Sequence, residues 1–71
     1  MEEIKITTEF IKLGQLLKLT HIISSGGEEK IYVATRKIVV NNELENRRGR
    51  KLYPGDVIEV ENRTFVIRLW L

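Results

Sequence analysis

The sequence contains no cysteine and a single histidine, His21. Without cysteine the chain can form neither a disulfide bond nor a thiolate metal site, and one histidine cannot supply the ligands of a zinc site. With 71 residues, the chain is the size of one small domain, which buries only about 60% of the surface that its unfolded chain exposes. We therefore predict a single domain over residues 1–71, with no metal ion and no cofactor.

The sequence also lacks a long apolar run. No stretch approaches the roughly 18 residues that a membrane-spanning helix requires. The first ten residues, MEEIKITTEF, begin with acids and do not predict a signal peptide. Because an absence of cysteine fits a reducing compartment, we expect a cytoplasmic protein that does not bind membranes.

The residues of a catalytic site are missing as well. Nucleophilic catalysis needs a hydroxyl or thiol beside a base that a third group orients. We expect His21 instead to end the first helix, where the helix dipole favours a cation. Neither GxGxxG nor GxxxxGK[ST] occurs in the chain. We therefore predict that the protein is not an enzyme and has no small-molecule substrate.

What the sequence does contain is a series of short periodic segments. Ile4 and Ile6 alternate with polar residues, which predicts a half-buried strand. The next segment changes to helical spacing, and its stripe consists of Leu13, Leu16, Leu17 and Thr20. A second helix is predicted to start at Ser25 and run to about Arg36, with an apolar stripe of Ile31, Ala34 and Ile38. Ser25 and Glu28 have the spacing of a capping box.

The second half of the chain reads as strands and turns. Asn41 and Asn42 suit a two-residue hairpin turn. Pro54 and Gly55, between Tyr53 and Asp56, indicate a structural turn that leads into a strand. Residues 57–69 alternate as two further strands with a reversal at Asn62–Arg63. The fold class is thus α+β, in the order β-α-α-β-β-β-β, with two short helices packed on one face of a small, mainly antiparallel sheet.

The most distinctive stretch is RRGRK, where four of five residues are cationic: Arg47, Arg48, Arg50 and Lys51. The rest of the chain carries a formal charge of −2, since the total is +2. The guanidinium group donates two parallel hydrogen bonds to phosphate, so the cluster indicates a polyanion contact. The alternative is a charged turn that protects a sheet edge from aggregation.

Two weaker signals lie on the helices. Gly26 and Gly27 follow the helix-starting Ser25, where free N–H groups favour an anion, although plain capping needs only Ser25 and by itself is the better explanation. Lys30 and Lys37 are spaced to share one helix face, and Lys18 lies late on the first helix. The aromatic residues are sparse and form no paired platform for unstacked bases, which favours recognition of shape and phosphate on a folded, double-helical nucleic acid.

The order of these parts resembles the ribosomal protein S4-type RNA-binding domain, also called the αL motif. The resemblance rests on LGQLLKLTHIISSGGEEK followed by IVVNNELENRRGRKLYPGDVIEV and covers about residues 12–60. The whole chain is similar to small stand-alone bacterial proteins of that family, of the YaaA type. One departure is Glu29, which adds an acid to a surface expected to be basic.

The resemblance implies a surface for structured RNA, usually ribosomal, built from the two helices and the following hairpin. We therefore expect a non-catalytic RNA-binding module that binds ribosomal RNA or the ribosome and acts in ribosome assembly or translation, as a monomer. The predicted RNA contacts are Lys18, Ser25, Gly26, Gly27, Lys30, Arg36, Lys37, Asn41, Arg47, Arg48, Arg50 and Lys51. Two alternatives stay open: a protein-interaction module that uses an exposed strand edge in FVIRLWL, and a weak binder of duplex DNA.

Overall fold

The computed structural model describes residues 1–70, which form two helices and seven strands. In chain order the elements are β1 (Glu2–Ile6), β2 (Ile11–Lys12), α1 (Leu13–Leu19), α2 (Gly26–Thr35), β3 (Ile38–Val40), β4 (Glu43–Leu44), β5 (Lys51–Leu52), β6 (Val57–Val60) and β7 (Arg63–Leu69). The two-residue strands β2 and β5 pair with each other in a separate antiparallel sheet. The remaining elements follow the predicted order β-α-α-β-β-β-β, which is confirmed.

The main sheet has five strands in the order β1-β7-β6-β3-β4. β1 runs parallel to β7, with Ile4 opposite Ile67, and the other pairs are antiparallel. The predicted α+β class with a mainly antiparallel sheet is therefore confirmed. β7 lies between β1 and β6, so both of its edges are hydrogen-bonded. The prediction of an exposed strand edge in residues 65–71 is wrong for the part of this segment that the structure describes, since the sheet edges are β1 and β4.

Helix α1 buries the stripe that its spacing predicted. Leu13, Leu16 and Leu17 are fully buried against the sheet. The helix ends at Thr20, and His21 follows in the left-handed region with φ 61°. The N–H of His21 donates to the carbonyl of Lys18 (3.1 Å), and that of Ile22 donates to the carbonyl of Leu17 (3.0 Å). This pair of bonds is a Schellman motif, so His21 serves the helix end through its backbone.

Helix α2 contacts the core less than predicted. Its predicted stripe is wrong: Ile31 is 66% exposed, Ala34 is exposed, and Ile38 belongs to β3. The buried residue of α2 is Val33, one helical position away from the predicted stripe. The helix ends at Thr35, close to the predicted end, but it turns Val33 toward the core in place of Ile31 and Ala34. Arg36 has an extended backbone with ψ 151°, so Ile38 lies in the sheet and not on the helix.

Each of the two hairpin turns places two residues at a positive φ, and three of these four residues are asparagines, which tolerate it. Asn41 and Asn42 have φ 51° and 68°, which confirms the predicted turn between β3 and β4. The turn between β6 and β7 consists of Glu61 and Asn62, with φ 51° and 62°. It lies one residue before the predicted reversal, because Arg63 already pairs with β6.

Candidate nucleic-acid interface

The basic loop, defined here as residues 47–51, is fastened to the start of α1. The backbone N–H of Leu13 donates to the carbonyl of Arg50 (2.9 Å), and that of Gly14 donates to the carbonyl of Arg48 (2.9 Å). The first N–H groups of a helix have no partner within the helix. The loop carbonyls supply two such partners, so the basic loop and α1 behave as one rigid unit.

A buried carboxylate, that of Glu45, organises two of the loop arginines. Glu45 is 6% exposed. Arg47 donates to it through Nε (2.9 Å) and Nη2 (3.1 Å), and Arg50 donates through Nη1 (2.7 Å). The backbone N–H groups of Asn46 and Arg47 add two bonds of 3.1 Å each. These bonds, those from the Arg47 side chain first, lower the pKa of Glu45 to about 2, against the opposing effect of burial.

Because Arg47 and Arg50 share the one carboxylate of Glu45, the loop keeps excess positive charge. Arg47, Arg50 and Glu45 together carry a net charge of +1. Arg48 is exposed and forms no ion pair with any residue from 1 to 70. Lys51 is also exposed, and its Nζ lies 4.8 Å from the centre of the Phe10 ring. Arg48 and Lys51 therefore keep a full charge available to a ligand.

The start of α2 is organised differently from the predicted capping box. Ser25 is the residue at the helix start, as predicted, but its side chain makes no capping hydrogen bond. The Glu28 carboxylate instead accepts from the backbone N–H of Ser24 (3.3 Å) and from the Ser24 hydroxyl, with a longer bond from the Ser25 hydroxyl (3.4 Å). The Ser24 hydroxyl is the main cause that lowers the pKa of Glu28. A negative charge thus already lies beside Gly26 and Gly27.

The two helices meet the basic loop at Gly14. Lys18 Nζ lies 3.3 Å from Glu29 Oε2, an ion pair that joins α1 to α2. A Cβ added at Gly14 would overlap the Glu29 carboxylate, so the close approach of Glu29 requires glycine at this position. The backbone of Gly14 is in turn bonded to Arg48. The first turn of α2, the start of α1 and the basic loop are therefore contiguous.

The other predicted cations lie at the far end of α2. Arg36 ends the helix, with its guanidinium 5.6 Å from the centre of the Tyr32 ring. Lys37 lies beyond the helix, so the prediction that it shares a helix face with Lys30 is wrong. Arg36 and Lys37 line an open groove of about 450 Å³ together with Glu45, which extends the cationic surface toward the basic loop.

The Asn41 side chain is used within the protein. Its amide group donates to Asp56 Oδ1 (3.0 Å), and its amide oxygen accepts from the N–H of Val57 (2.9 Å). The other oxygen of Asp56 accepts from the N–H of Tyr53 (2.8 Å). Asp56 thereby ties the hairpin turn of β3 and β4 to the turn that follows the basic loop.

Comparison with known proteins identifies the family. The sequence profile of the S4 domain matches residues 4–68. The chain belongs to the S4 domain family. It is also 55% identical over 58 residues to "Probable ribosome maturation protein RlbA" of Bacillus subtilis (strain 168), an alignment that covers 82% of this chain and 82% of that protein. The resemblance deduced from the sequence is confirmed.

Two features of this S4 domain escaped sequence analysis. Glu45 was missed because an acid among polar hairpin residues has the pattern of an exposed side chain, and the one available signal is the arginines two and five residues later. The second missed feature is an aromatic pair, since the sequence analysis expected no pairing among the aromatic residues. In the structure the rings of Phe10 and Tyr53 lie with centres 5.8 Å apart beside the basic loop.

Within residues 1–70 of this S4 domain, His, Asp and Glu side chains form no group of three that could hold a metal ion. No helix in the same range is long and apolar enough to cross a membrane.

Proposed function

We propose that this S4 domain is a non-catalytic RNA-binding module that contacts structured ribosomal RNA and acts in ribosome assembly or translation, as a monomer in the cytoplasm. The observation that carries the proposal is the basic loop, where the buried Glu45 carboxylate orients the side chains of Arg47 and Arg50, and the start of α1 fixes the backbone beside Arg48. Cations that are positioned before binding lose little conformational freedom when they meet phosphate. The 55% identity to a protein described as a ribosome maturation protein supports the ribosomal assignment.

The proposed contact surface runs along one side of the domain. Its centre is the basic loop with Lys51, and its flanks are Arg36 and Lys37 at one end and the N–H groups of Gly26 and Gly27, with Ser25, at the other. Lys18 and Lys30 add charge along the helices, and Asn41 contributes by fixing the neighbouring turn. Phosphate contacts of this kind position a protein on RNA, and the shape of the folded RNA supplies most of the selectivity.

A single charge reversal tests the centre of this surface. Arg48 makes no bond to Glu45, so Arg48→Glu changes the charge of the loop and leaves the buried carboxylate with its partners. Arg68→Glu is the control for an equal change in net charge, because Arg68 is exposed on β7, in the sheet. Its Nε lies 3.4 Å from Glu3 Oε2, so circular dichroism checks that losing this exposed contact leaves the domain folded. Binding is measured by fluorescence anisotropy with transcribed fragments of bacterial ribosomal RNA. We expect Arg48→Glu to weaken binding at least about tenfold and Arg68→Glu less than about twofold.

Salt dependence and competition complete the test. With three or four phosphates engaged, the slope of log affinity against log salt is roughly −2 to −4, and Arg48→Glu reduces its magnitude by about 1. Duplex DNA of equal length is expected to compete poorly with the RNA. Equal effects of the two charge reversals, or equal competition by DNA, would contradict the proposal. A stable dimer in size-exclusion chromatography at several concentrations would contradict the proposed monomeric state.

Crosslinking in cells identifies the RNA. Ultraviolet crosslinking of the wild-type chain and of Arg48→Glu, followed by sequencing of the attached RNA, compares two proteins that differ in one side chain. We expect ribosomal RNA fragments to be enriched with the wild-type chain and depleted with the variant. Enrichment of messenger RNA alone would overturn the ribosomal assignment and retain RNA binding.

A further inference from the structure

A partly exposed aromatic ring borders the basic loop. Tyr53 is 41% exposed, and its ring centre lies 5.8 Å from that of the half-buried Phe10, with an angle of 48° between the ring planes. Because the residue is open to solvent, the phenol hydroxyl can form its hydrogen bonds with water. Phe10 lies beside the ring from a different part of the chain, and the side chain of Tyr53 remains partly accessible.

The backbone of Tyr53 is fixed on both sides. The preceding residue, Leu52, is fully buried in the core. The N–H of Tyr53 donates to Asp56 Oδ2 (2.8 Å), and the N–H of Asp56 donates to the carbonyl of Tyr53 (2.9 Å). Gly55 closes this turn with φ 96°, a conformation that a side chain disfavours. The backbone that carries the ring is therefore held in place before any ligand arrives.

Cations surround the ring. Tyr53 lines an open groove of about 530 Å³ with Arg47, Gly49, Arg50 and Lys51. This volume lies within the range of roughly 300–1,000 Å³ typical of sites for small ligands. Lys51 is stacked near the Phe10 ring, and both arginines are oriented by Glu45. Gly49 has no side chain to narrow the groove, and no atom lies within 4 Å of where its Cβ would be.

An aromatic ring flanked by phosphate-binding cations fits one class of ligand, a nucleotide whose base has a free face. We propose that Tyr53 and the groove around it bind an unpaired nucleobase of the RNA, with the base stacked on the tyrosine ring and its flanking phosphates beside Arg47, Arg50 and Lys51. This inference rests on the proposed RNA-binding function. A base inside a helix has no free face, so the site selects bulged or single-stranded positions. Every base has a π-face, so the site tolerates all four.

The test uses two RNA hairpins that differ in one nucleotide. One carries a single bulged 5-iodouridine, and the other is the same stem without the bulge. Affinity is measured at low salt for the wild-type chain, for Tyr53→Phe, which keeps the ring, and for Tyr53→Leu, which keeps apolar bulk without a π-face. We expect the wild type and Tyr53→Phe to bind the bulged hairpin at least about fivefold more tightly than the paired one. Tyr53→Leu loses this preference and retains its affinity for the paired hairpin.

Photocrosslinking gives a second readout that a purely structural role would not affect. Iodouridine stacked on an aromatic ring crosslinks to it under long-wavelength ultraviolet light. The tryptic peptide of residues 52–63 contains Tyr53 as its one aromatic residue. We expect the adduct on this peptide in the wild type and in Tyr53→Phe, and its loss in Tyr53→Leu.

The outcomes separate the two proposals. If the wild type binds both hairpins equally and Tyr53→Leu matches it, the stacking site is refuted and RNA binding stands. An adduct on another peptide with unchanged affinity of Tyr53→Leu also refutes the site. If the wild type binds neither hairpin nor ribosomal RNA fragments, the proposed function fails and the stacking site fails with it. Circular dichroism of each variant checks that the domain is folded.

Discussion

The basic loop and the start of α2 were both predicted to contact phosphate, and a glutamate that accepts several hydrogen bonds lies at each. Beside the basic loop, Glu45 is buried and accepts from Arg47 and Arg50, so the loop keeps excess positive charge with these two side chains oriented. At the start of α2, Glu28 is exposed and accepts from Ser24 and Ser25. It contributes negative charge at the end of the helix where an anion would bind.

The difference shows that the effect of an acid on an anion site depends on what surrounds it. Glu45 neutralises part of the charge of Arg47 and Arg50, but it also holds both side chains in a defined geometry. Glu28 has no cation among its hydrogen-bond partners, so it competes with any incoming phosphate. We therefore expect the basic loop to dominate binding and the start of α2 to contribute less, and four predictions test this contrast.

The largest effect is expected at Glu45. Replacement by glutamine keeps the volume and removes the charge that five hydrogen-bond donors share. Leaving a buried polar group unpaired costs about 1–3 kcal/mol. Because the exposed Arg47 side chain can bond to water instead, we expect the free energy of unfolding to fall by an amount within this range. The free energy of unfolding is measured by urea titration. Glu28→Gln is the matched control and is expected to shift the urea midpoint less. Equal shifts would remove the contrast between the two acids.

The second prediction concerns pH. The pKa of Glu45 is lowered from 4.5 to about 2 in the folded protein. Above pH 4.5 the carboxylate is charged in both states, and its bonds stabilise the fold fully. As pH falls from 4.5 toward 2, the unfolded chain takes up the proton first, so this stabilisation is lost. We expect the stability difference between wild type and Glu45→Gln, from urea midpoints, to shrink over this range. A constant difference would show that the charge of Glu45 is not what stabilises the loop.

The third prediction concerns Gly14, where the loop and α2 meet. In Gly14→Ala the new methyl group displaces Glu29 and breaks its ion pair with Lys18. The atoms in the way are the end of a flexible side chain, so the cost is about that of one ion pair, about 0–1 kcal/mol, while the better helix propensity of alanine returns up to about 1 kcal/mol. We expect the urea midpoint to change little. In a Glu29→Ala background, which has no ion pair to lose, the same change should be stabilising, and an equal effect in both backgrounds would mean that Glu29 is not the obstacle.

The smallest effect is expected at the start of α2. A Cβ at Gly26 meets no atom within 4 Å, and one at Gly27 meets only the Ser25 hydroxyl at 3.9 Å. Changing both to alanine should therefore stabilise the helix, by up to about 0.5 kcal/mol per residue. If their N–H groups contact phosphate, the two methyl groups obstruct it, and RNA affinity falls by a few-fold. An unchanged affinity together with higher stability would exclude this part of the surface.

The sequence predicted the parts of the fold that depend on local pattern. The spacing of Leu13, Leu16 and Leu17 predicted the buried face of α1, and Asn41 and Asn42 predicted a hairpin turn. The end of α2 was predicted within one residue, but its stripe was wrong because Val33 is buried while Ile31 and Ala34 are exposed, and the pattern of a short helix does not show which face meets the core. The position of residues 63–69 between two strands was also missed, since strand order depends on contacts far apart in the chain.

The same division holds for the candidate site. The sequence by itself determined the cluster of four cations, the turn that follows it and the family, because these are properties of neighbouring residues. Only the tertiary structure decided that Glu45 is buried among the arginines, that loop carbonyls complete the start of α1, and that Phe10 lies beside Tyr53. The physical reason is that burial and pairing between distant residues arise from the packing of the whole chain, which no local pattern encodes.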